Sequence, residues 1–145
     1  MNSDLYQQDF NLWIEQTVTA LKNKQMETID WDNLIEEIED MGKSQKNALE
    51  SYLQRLIEHI LKLRYWTTER ERCYRGWRSE VVNFRNRIKR ILKKNPSLKN
   101  YLQEQYLDIY RDAVATMLEQ FDIPDEKIIE SEKMLEDDYF GQSLS

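Results

Sequence analysis

The sequence predicts an all-α fold, an up-down helical bundle of three to four main helices followed by a short C-terminal helix and a tail. Apolar residues recur at three- and four-residue steps along most of the chain, which is the period of one helix face. Only 3 glycines and 2 prolines occur in 145 residues, so signals for strands and tight turns are few. A chain of this length can bury its own core. We therefore expect one domain over residues 1–145, with 142–145 frayed.

The first helix is expected from about Asp4 to Lys24, with Ser3 as its N-cap. Its apolar stripe is Tyr6, Phe10, Trp13, Ile14, Thr17, Val18 and Leu21.

A second, longer helix is expected from about Trp31 to Trp66, after a start signal at Asp30. Gly42 could end one helix there and begin another. Because the apolar stripe keeps its phase across Gly42, we favour one helix, weakened at that glycine by about 1 kcal/mol. A kinked pair of helices is the alternative.

Residues 67–75 interrupt the apolar pattern and are predicted to be a connection. The third helix then ends at Asn95, because the residue before Pro96 is disfavoured in the α region. Its stripe is Trp77, Val81, Phe84, Ile88, Ile91 and Leu92.

A fourth helix follows, with Asn95 or Ser97 as its cap, and Pro124 either ends it or begins a short helix. Its stripe is Leu98, Leu102, Tyr106, Ile109, Ala113 and Met117. The short helix would contain Ile128, Ile129 and Leu135, and the tail offers the aromatic pair Tyr139 and Phe140 for docking. We expect Trp13, Trp31 and Trp77 near the core.

Charge is sorted by segment. Residues 1–61 carry 5 Lys/Arg and 12 Asp/Glu, residues 62–99 carry 13 and 3, and residues 100–145 carry 3 and 12. A pI near 5.0 argues against wholesale nucleic-acid binding. The basic segment can still pair with acidic helices, inside the molecule or between subunits, or bind something outside.

One acidic run and several short motifs carry a family resemblance. The run Asp30–Ser44, which reads DWDNLIEEIEDMGKS, resembles the hallmark of a bacterial family, frequent in cyanobacteria, named Domain of Unknown Function 29. The resemblance covers nearly the whole chain and continues at Ala48–Ser51, His59–Lys62, Trp77-Arg78, Arg85 and Asn95–Leu98. It departs near the end, where many members carry a Phe-Pro…Cys-Pro stretch and this chain reads Phe121-Asp122-Ile123-Pro124. The resemblance implies an all-helical, freestanding bacterial protein and no catalytic residue.

Residues 70–94 form a candidate interaction or nucleic-acid surface. Lysines and arginines on one helix face can neutralise phosphates. Opposite charges on neighbouring helices are an equally ordinary way to assemble a bundle, and we favour pairing. The candidate residues are Arg78, Arg85, Arg87, Lys89, Arg90, Lys93 and Lys94.

A second set of polar residues is predicted to be a structural cluster. A carboxylate would pair with an arginine of the third helix, and His59 would bond a carboxylate or a carbonyl group. A less favoured alternative is metal-dependent activity at Glu37, Glu39 and His59, because helical bundles hold metals with inward carboxylates and histidines. The cluster is Glu36, Glu37, Glu39, His59 and Arg85.

Cys73 is the single cysteine, which excludes an internal disulfide framework and suits a reducing cytoplasm. Its arginine neighbours would favour a reactive thiolate, but an inert cysteine in a connection is the simpler interpretation. The first residues have neither a basic region nor an apolar one, so we expect a cytoplasmic protein without a membrane segment.

The sequence therefore predicts a non-enzymatic helical protein-interaction module without a cofactor. Its partner would be a second copy of the chain or another protein. The apolar stripe from Trp31 to Leu63 is long for one small core, and this excess, together with the complementary charged faces, motivates the prediction.

Overall fold

The structure is a computed structural model that describes residues 3–124 and 127–143. In those two ranges it has six α-helices, one 3-10 turn at Met26–Thr28 and no strand, which confirms the all-α class. The helices are α1 (Ser3–Gln8), α2 (Phe10–Lys22), α3 (Trp31–Tyr65), α4 (Thr67–Lys94), α5 (Leu98–Leu118) and α6 (Ser131–Met134).

The chain divides into two compact units, an N-terminal unit (Met1–Ser44) and a C-terminal unit (Gln45–Ser145). Helix α3 begins in the first and continues into the second. A single domain over residues 1–145 stays a prediction.

In the N-terminal unit, the predicted first helix is two helices separated at Asp9. The Asp9 backbone is extended, with φ −149° and ψ 90°, and its side chain accepts a hydrogen bond from the Leu12 amide at 3.0 Å. An aspartate that caps a helix start in this way satisfies an amide that has no partner inside the helix. The apolar period continues across the break, which is why the sequence predicted a single helix.

The prediction of one helix through Gly42 is confirmed, since α3 is an unbroken helix of 35 residues. Asp30 caps it as expected, because its carboxylate accepts from the Asn33 amide at 3.4 Å and from the Asn33 side chain at 2.7 Å.

The C-terminal unit is an up-down bundle of α3, α4 and α5, as predicted. Contacts between α3 and α4 pair residues later in α3 with residues earlier in α4: Leu63 with Arg70, His59 with Phe84, and Tyr52 with Arg87. These two helices are therefore antiparallel. Contacts of Lys46 with Tyr101 and of Trp66 with Phe121 show that α5 runs in the direction of α3.

The start of α4 corrects the prediction of a connection over residues 67–75. Only Trp66 separates α3 from α4. The first turns of α4 are polar on nearly every side, so they carry no apolar period, yet glutamate and arginine are good helix formers. Glu69 and Arg72 form an ion pair one turn apart, and Arg70 donates to the carbonyl group of Leu63 at 3.0 Å near the end of α3.

Helix α5 agrees with its prediction, while residues 122–124 and 127–130 after it have no regular secondary structure. The Ser97 side chain makes no capping hydrogen bond. Helix α5 ends at Leu118, ahead of Pro124, and the short helix begins only at Ser131, so Ile128 and Ile129 precede it. The buried Tyr106 hydroxyl donates to the Ile129 carbonyl group at 2.5 Å and fixes this segment against α5.

The tail docks on the C-terminal unit. Tyr139 is fully buried and Phe140 is half-buried under the Arg78 guanidinium, which lies 3.7 Å from the ring centroid. Gln142, predicted to fray, donates to the Asp138 carbonyl group at 3.0 Å, and its own carbonyl group accepts from Arg64 at 2.8 Å. Residues 144–145 lie outside the described residues.

Candidate protein-interaction site

An apolar groove opens on the N-terminal unit between α2 and the first turns of α3. Its volume is about 360 Å³. Eight of its ten lining residues are apolar, and the other two are Thr17 and Glu37. The lining residues are Phe10, Trp13, Ile14, Thr17, Val18, Leu21, Leu34, Glu37, Ile38 and Met41.

Helix α2 contributes two neighbouring faces to the groove. Trp13 and Thr17 lie on the buried face, and Thr17 also bonds the Trp13 carbonyl group at 2.7 Å. Phe10, Ile14 and Val18 lie beside them and remain 39–45% exposed. The apolar stripe of α2 is thus wider than the surface that the rest of this unit covers.

Helix α3 contributes the opposite wall, and its apolar side chains are more exposed still. Ile38 is 58% exposed and Met41 is 68% exposed. Trp31 was expected near the core, but it is 45% exposed and its indole donates to the Met26 carbonyl group at 3.2 Å. Helical spacing identified the stripe correctly, but a stripe does not specify whether the chain itself covers it.

Glu37 places a carboxylate in this apolar lining, and Tyr6 holds it. The Tyr6 hydroxyl donates a short hydrogen bond to the carboxylate Oε1. This hydrogen bond, with partial loss of hydration and the nearby carboxylates, raises the pKa of Tyr6 to about 12. The Tyr6 ring also packs edge-on against Trp13, with centroids 4.9 Å apart. Helical spacing could not predict this contact, because its residues lie 31 positions apart.

Comparison with known proteins identifies the family. A family model described as Domain of unknown function DUF29 matches residues 5–140. The chain belongs to the DUF29 family. The match confirms the resemblance that the acidic run and the shorter motifs indicated. No curated protein and no solved structure matches the chain significantly.

In this DUF29 protein, Arg85 is not part of an exposed basic surface, which corrects its prediction as a surface residue. It is 1% exposed, and its guanidinium donates to the carbonyl groups of Met134, Asp137 and Tyr139 at 2.7–3.3 Å. Burial lowers the pKa of Arg85, while the nearby carboxylates, Asp137 first, oppose that shift. Arg85 fastens the C-terminal segment to α4.

Other residues of the predicted basic surface also have partners within the C-terminal unit. Lys89 pairs with Asp137 at 2.5 Å, and this pairing lowers the pKa of the Asp137 carboxyl group. Arg87 donates to Asn83 at 3.1 Å and to Tyr52 at 3.2 Å. The Arg78 guanidinium lies over the Phe140 ring of the docked tail. Three of the predicted residues remain exposed and make no described ion pair, side-chain hydrogen bond or ring contact: Arg90, Lys93 and Lys94.

The members of the predicted polar cluster that make described contacts make them with other residues of their own unit. Within the N-terminal unit Glu37 bonds Tyr6, while Glu36 and Glu39 are exposed. Within the C-terminal unit the His59 Nδ1 lies 2.7 Å from the Arg55 carbonyl oxygen, so the expected carbonyl partner is confirmed. Burial lowers the pKa of His59.

Three further predictions concern metals, Cys73 and membranes. Over residues 3–124 and 127–143, no three histidine, cysteine, aspartate or glutamate residues are grouped so that they could hold a metal ion. Cys73 is half-buried within α4 and does not lie in a connection. None of the helices in the described ranges is both long and apolar enough to cross a membrane.

Proposed function

We propose that the protein is a non-enzymatic protein-interaction module and that the groove of its N-terminal unit is the interface. The observation that carries the proposal is a row of apolar side chains that the chain leaves exposed on both walls of one groove. Contiguous apolar surface of this kind typically marks a site where another protein binds. Phe10, Ile14 and Val18 form one wall, and Ile38 and Met41 form the other.

The dimensions of the groove suit a helix. Helix-in-groove recognition uses apolar residues at helical spacing on the partner, which fill a channel between two helices. Helix α2 has 13 residues and is therefore about 20 Å long. A partner helix of about four turns would cover it.

Three ionisable groups with shifted pKa values, those of Tyr6, Tyr106 and Arg85, support a structural role more than a reaction. The Tyr6 hydroxyl fixes Glu37, the Tyr106 hydroxyl fixes Ile129, and Arg85 fixes the tail. Each group is already engaged with a neighbour that holds two segments of the chain together.

Contacts that basic residues already make within the protein favour this proposal over nucleic-acid binding through residues 70–94. Arg85 is buried, Lys89 has a carboxylate partner, and Arg78 covers an aromatic ring. Three of the ten basic residues in 70–94 thus contact the C-terminal segment, which supports internal pairing over nucleic-acid binding.

The proposal is tested by light scattering and cross-linking of the full chain, alone and with proteins that co-purify from its host. The variants Ile38→Gln and Val18→Gln remove exposed apolar surface without changing charge, and glutamine is a good helix former. The matched control is Val82→Gln, which replaces a similarly exposed apolar residue of α4 outside the groove. We expect both groove variants to lose association that the control retains. A monomer without a partner, or association equal in all variants, would overturn the proposal.

A further inference from the structure

We propose that the groove binds a basic amphipathic helix of another protein and that Glu37 receives a lysine or arginine of that helix. This inference rests on the proposed function and adds the chemistry of the partner. It is carried by the charge around the groove and by the way Tyr6 holds the Glu37 carboxylate.

The N-terminal unit is strongly acidic. Residues 1–44 contain 3 lysines and 10 aspartates or glutamates, a net charge of −7. On α3 Glu37 lines the groove itself, while Glu36, Glu39 and Asp40 lie on the exposed part of the same stretch of helix. A helix with lysine or arginine beside its apolar stripe would meet complementary charge on the α3 side of the groove.

The same charge disfavours a second copy as the occupant. Two N-terminal units that pair face to face would each bring a charge of −7 to the interface. The basic helix of a second copy is also a poor fit, because the apolar residues of α4, such as Val81, Phe84 and Ile88, are buried in its own C-terminal unit. Its exposed side would bring charge without an apolar stripe.

The Glu37 carboxylate is already held in position to accept hydrogen bonds from a cationic side chain. Its carboxylate lies among apolar side chains, and the Tyr6 hydroxyl bonds only one of its oxygens, Oε1. An ionised carboxylate has about four acceptor positions, so a guanidinium or ammonium group can still bond the second oxygen. Since Tyr6 already fixes the orientation of the carboxylate, the partner loses less freedom in forming the pair.

The first test compares three synthetic peptides of equal length with the full chain. Each has the same leucine stripe at helical spacing, and the flanking positions are all lysine, all glutamine or all glutamate. We expect the lysine peptide to bind at least about tenfold more tightly than the glutamine peptide at low salt, and the difference to shrink as salt screens the charges. Fluorescence anisotropy of labelled peptides measures each affinity.

The second test assigns the contact to Glu37 and to the groove. Glu37→Gln is expected to weaken the lysine peptide about three- to tenfold and to leave the glutamine peptide unchanged. The matched control Glu36→Gln removes the same charge from the exposed side of α3 and should change either affinity less than about twofold. Ile38→Gln should weaken both peptides.

The remaining outcomes separate this inference from the proposed function. Equal affinity for the lysine and glutamine peptides, both lost in Ile38→Gln, would overturn the basic partner and leave the interaction module. Self-association that strengthens with salt and is lost in Ile38→Gln would also overturn the basic partner and leave the interaction module, because it identifies a second copy as the occupant. Binding of the lysine peptide that neither Glu37→Gln nor Ile38→Gln changes would be general attraction to an acidic chain and would overturn the inference. Failure of all three peptides, together with a monomeric chain, would overturn both proposals.

Discussion

Two polar contacts, one in each unit, show how single residues fix distant parts of this chain. In the C-terminal unit the Arg85 guanidinium supplies donors to three backbone carbonyl groups of the segment that ends the chain. In the N-terminal unit the Tyr6 hydroxyl joins α1 to Glu37 of α3. Neither partner could be predicted from sequence, because helical spacing relates residues within one element and these contacts join residues 31 to 54 positions apart.

Arg85→Gln is expected to destabilise the protein by about 3 kcal/mol, because it leaves buried carbonyl groups without the donors that a guanidinium supplies. Chemical denaturation measures the change. Amide exchange of residues 134–142 should also increase selectively, since these residues lose their attachment to α4. The matched control is Arg90→Gln on the exposed side of α4, which should stay within about 0.5 kcal/mol of the parent. Equal effects of the two variants would contradict the assigned role.

The Tyr6–Glu37 contact makes the stability of the folded state depend on pH, and the direction of that dependence follows from the pKa of Tyr6. The folded pKa of Tyr6 is about 12, above its ordinary value of 10.0, so the contact stabilises the folded state below pH 10 and loses that effect as pH rises through 12. In the Glu37→Gln variant the pKa of Tyr6 should fall back toward 10. Ultraviolet absorbance at pH 11 should then show nearly one more tyrosinate per chain than in the parent, a difference of about 0.8 at these two pKa values. Tyr6→Phe identifies the signal, because adding it to Glu37→Gln should remove the extra tyrosinate. An unchanged tyrosinate count in Glu37→Gln would contradict the contact.

At the scale of elements, the apolar period predicted α3 and α5 well because both carry long, regular stripes. It failed at the start of α4, where residues 67–75 are helical without an apolar face. It also failed at Asp9, where a side-chain cap divides two helices whose stripes stay in phase. The candidate site was predicted only as an excess of apolar residues after Trp31, because the pattern cannot specify which part of a stripe the fold leaves open.

The three glycines lie in two kinds of environment, so alanine should stabilise the protein at two of them and destabilise it at the third. Gly42 and Gly76 are inside helices, and an added Cβ at either position would have nothing within 4 Å. Alanine there should stabilise the protein by about 0.5–1 kcal/mol each. Gly141 has φ +90°, and its Cβ would lie 3.0 Å from the Ile60 carbonyl oxygen. Gly141→Ala should therefore destabilise the protein by more than 1 kcal/mol. Thermal and chemical denaturation of the three variants measure these signs, and stabilisation by Gly141→Ala would contradict the docked tail.

At the scale of the whole molecule, the two units differ in how much they bury. The main core cluster has 20 buried residues, all within 45–145. In the described part of the N-terminal unit the buried residues are Trp13, Thr17, Ala20 and Ile29. A unit with so few buried side chains and one open apolar face has little to oppose local unfolding. A partner helix in the groove would supply the missing contacts, so binding and local stability should be linked in this unit.

Amide hydrogen exchange of the full chain tests that link. Without a partner, amides of α2 should exchange at least about tenfold faster than those of the middle of α5, because opening α2 exposes less buried surface. Saturation with the lysine peptide should slow exchange in α2 and in residues 31–41 and leave α5 unchanged. In Ile38→Gln, at the same peptide concentration, that slowing should be lost, whereas Glu36→Gln should retain it. If α2 is as protected as α5 in the free chain, the N-terminal unit does not depend on a partner for stability. If the peptide slows exchange in α4 in place of α2, the basic segment and not the groove is the binding surface.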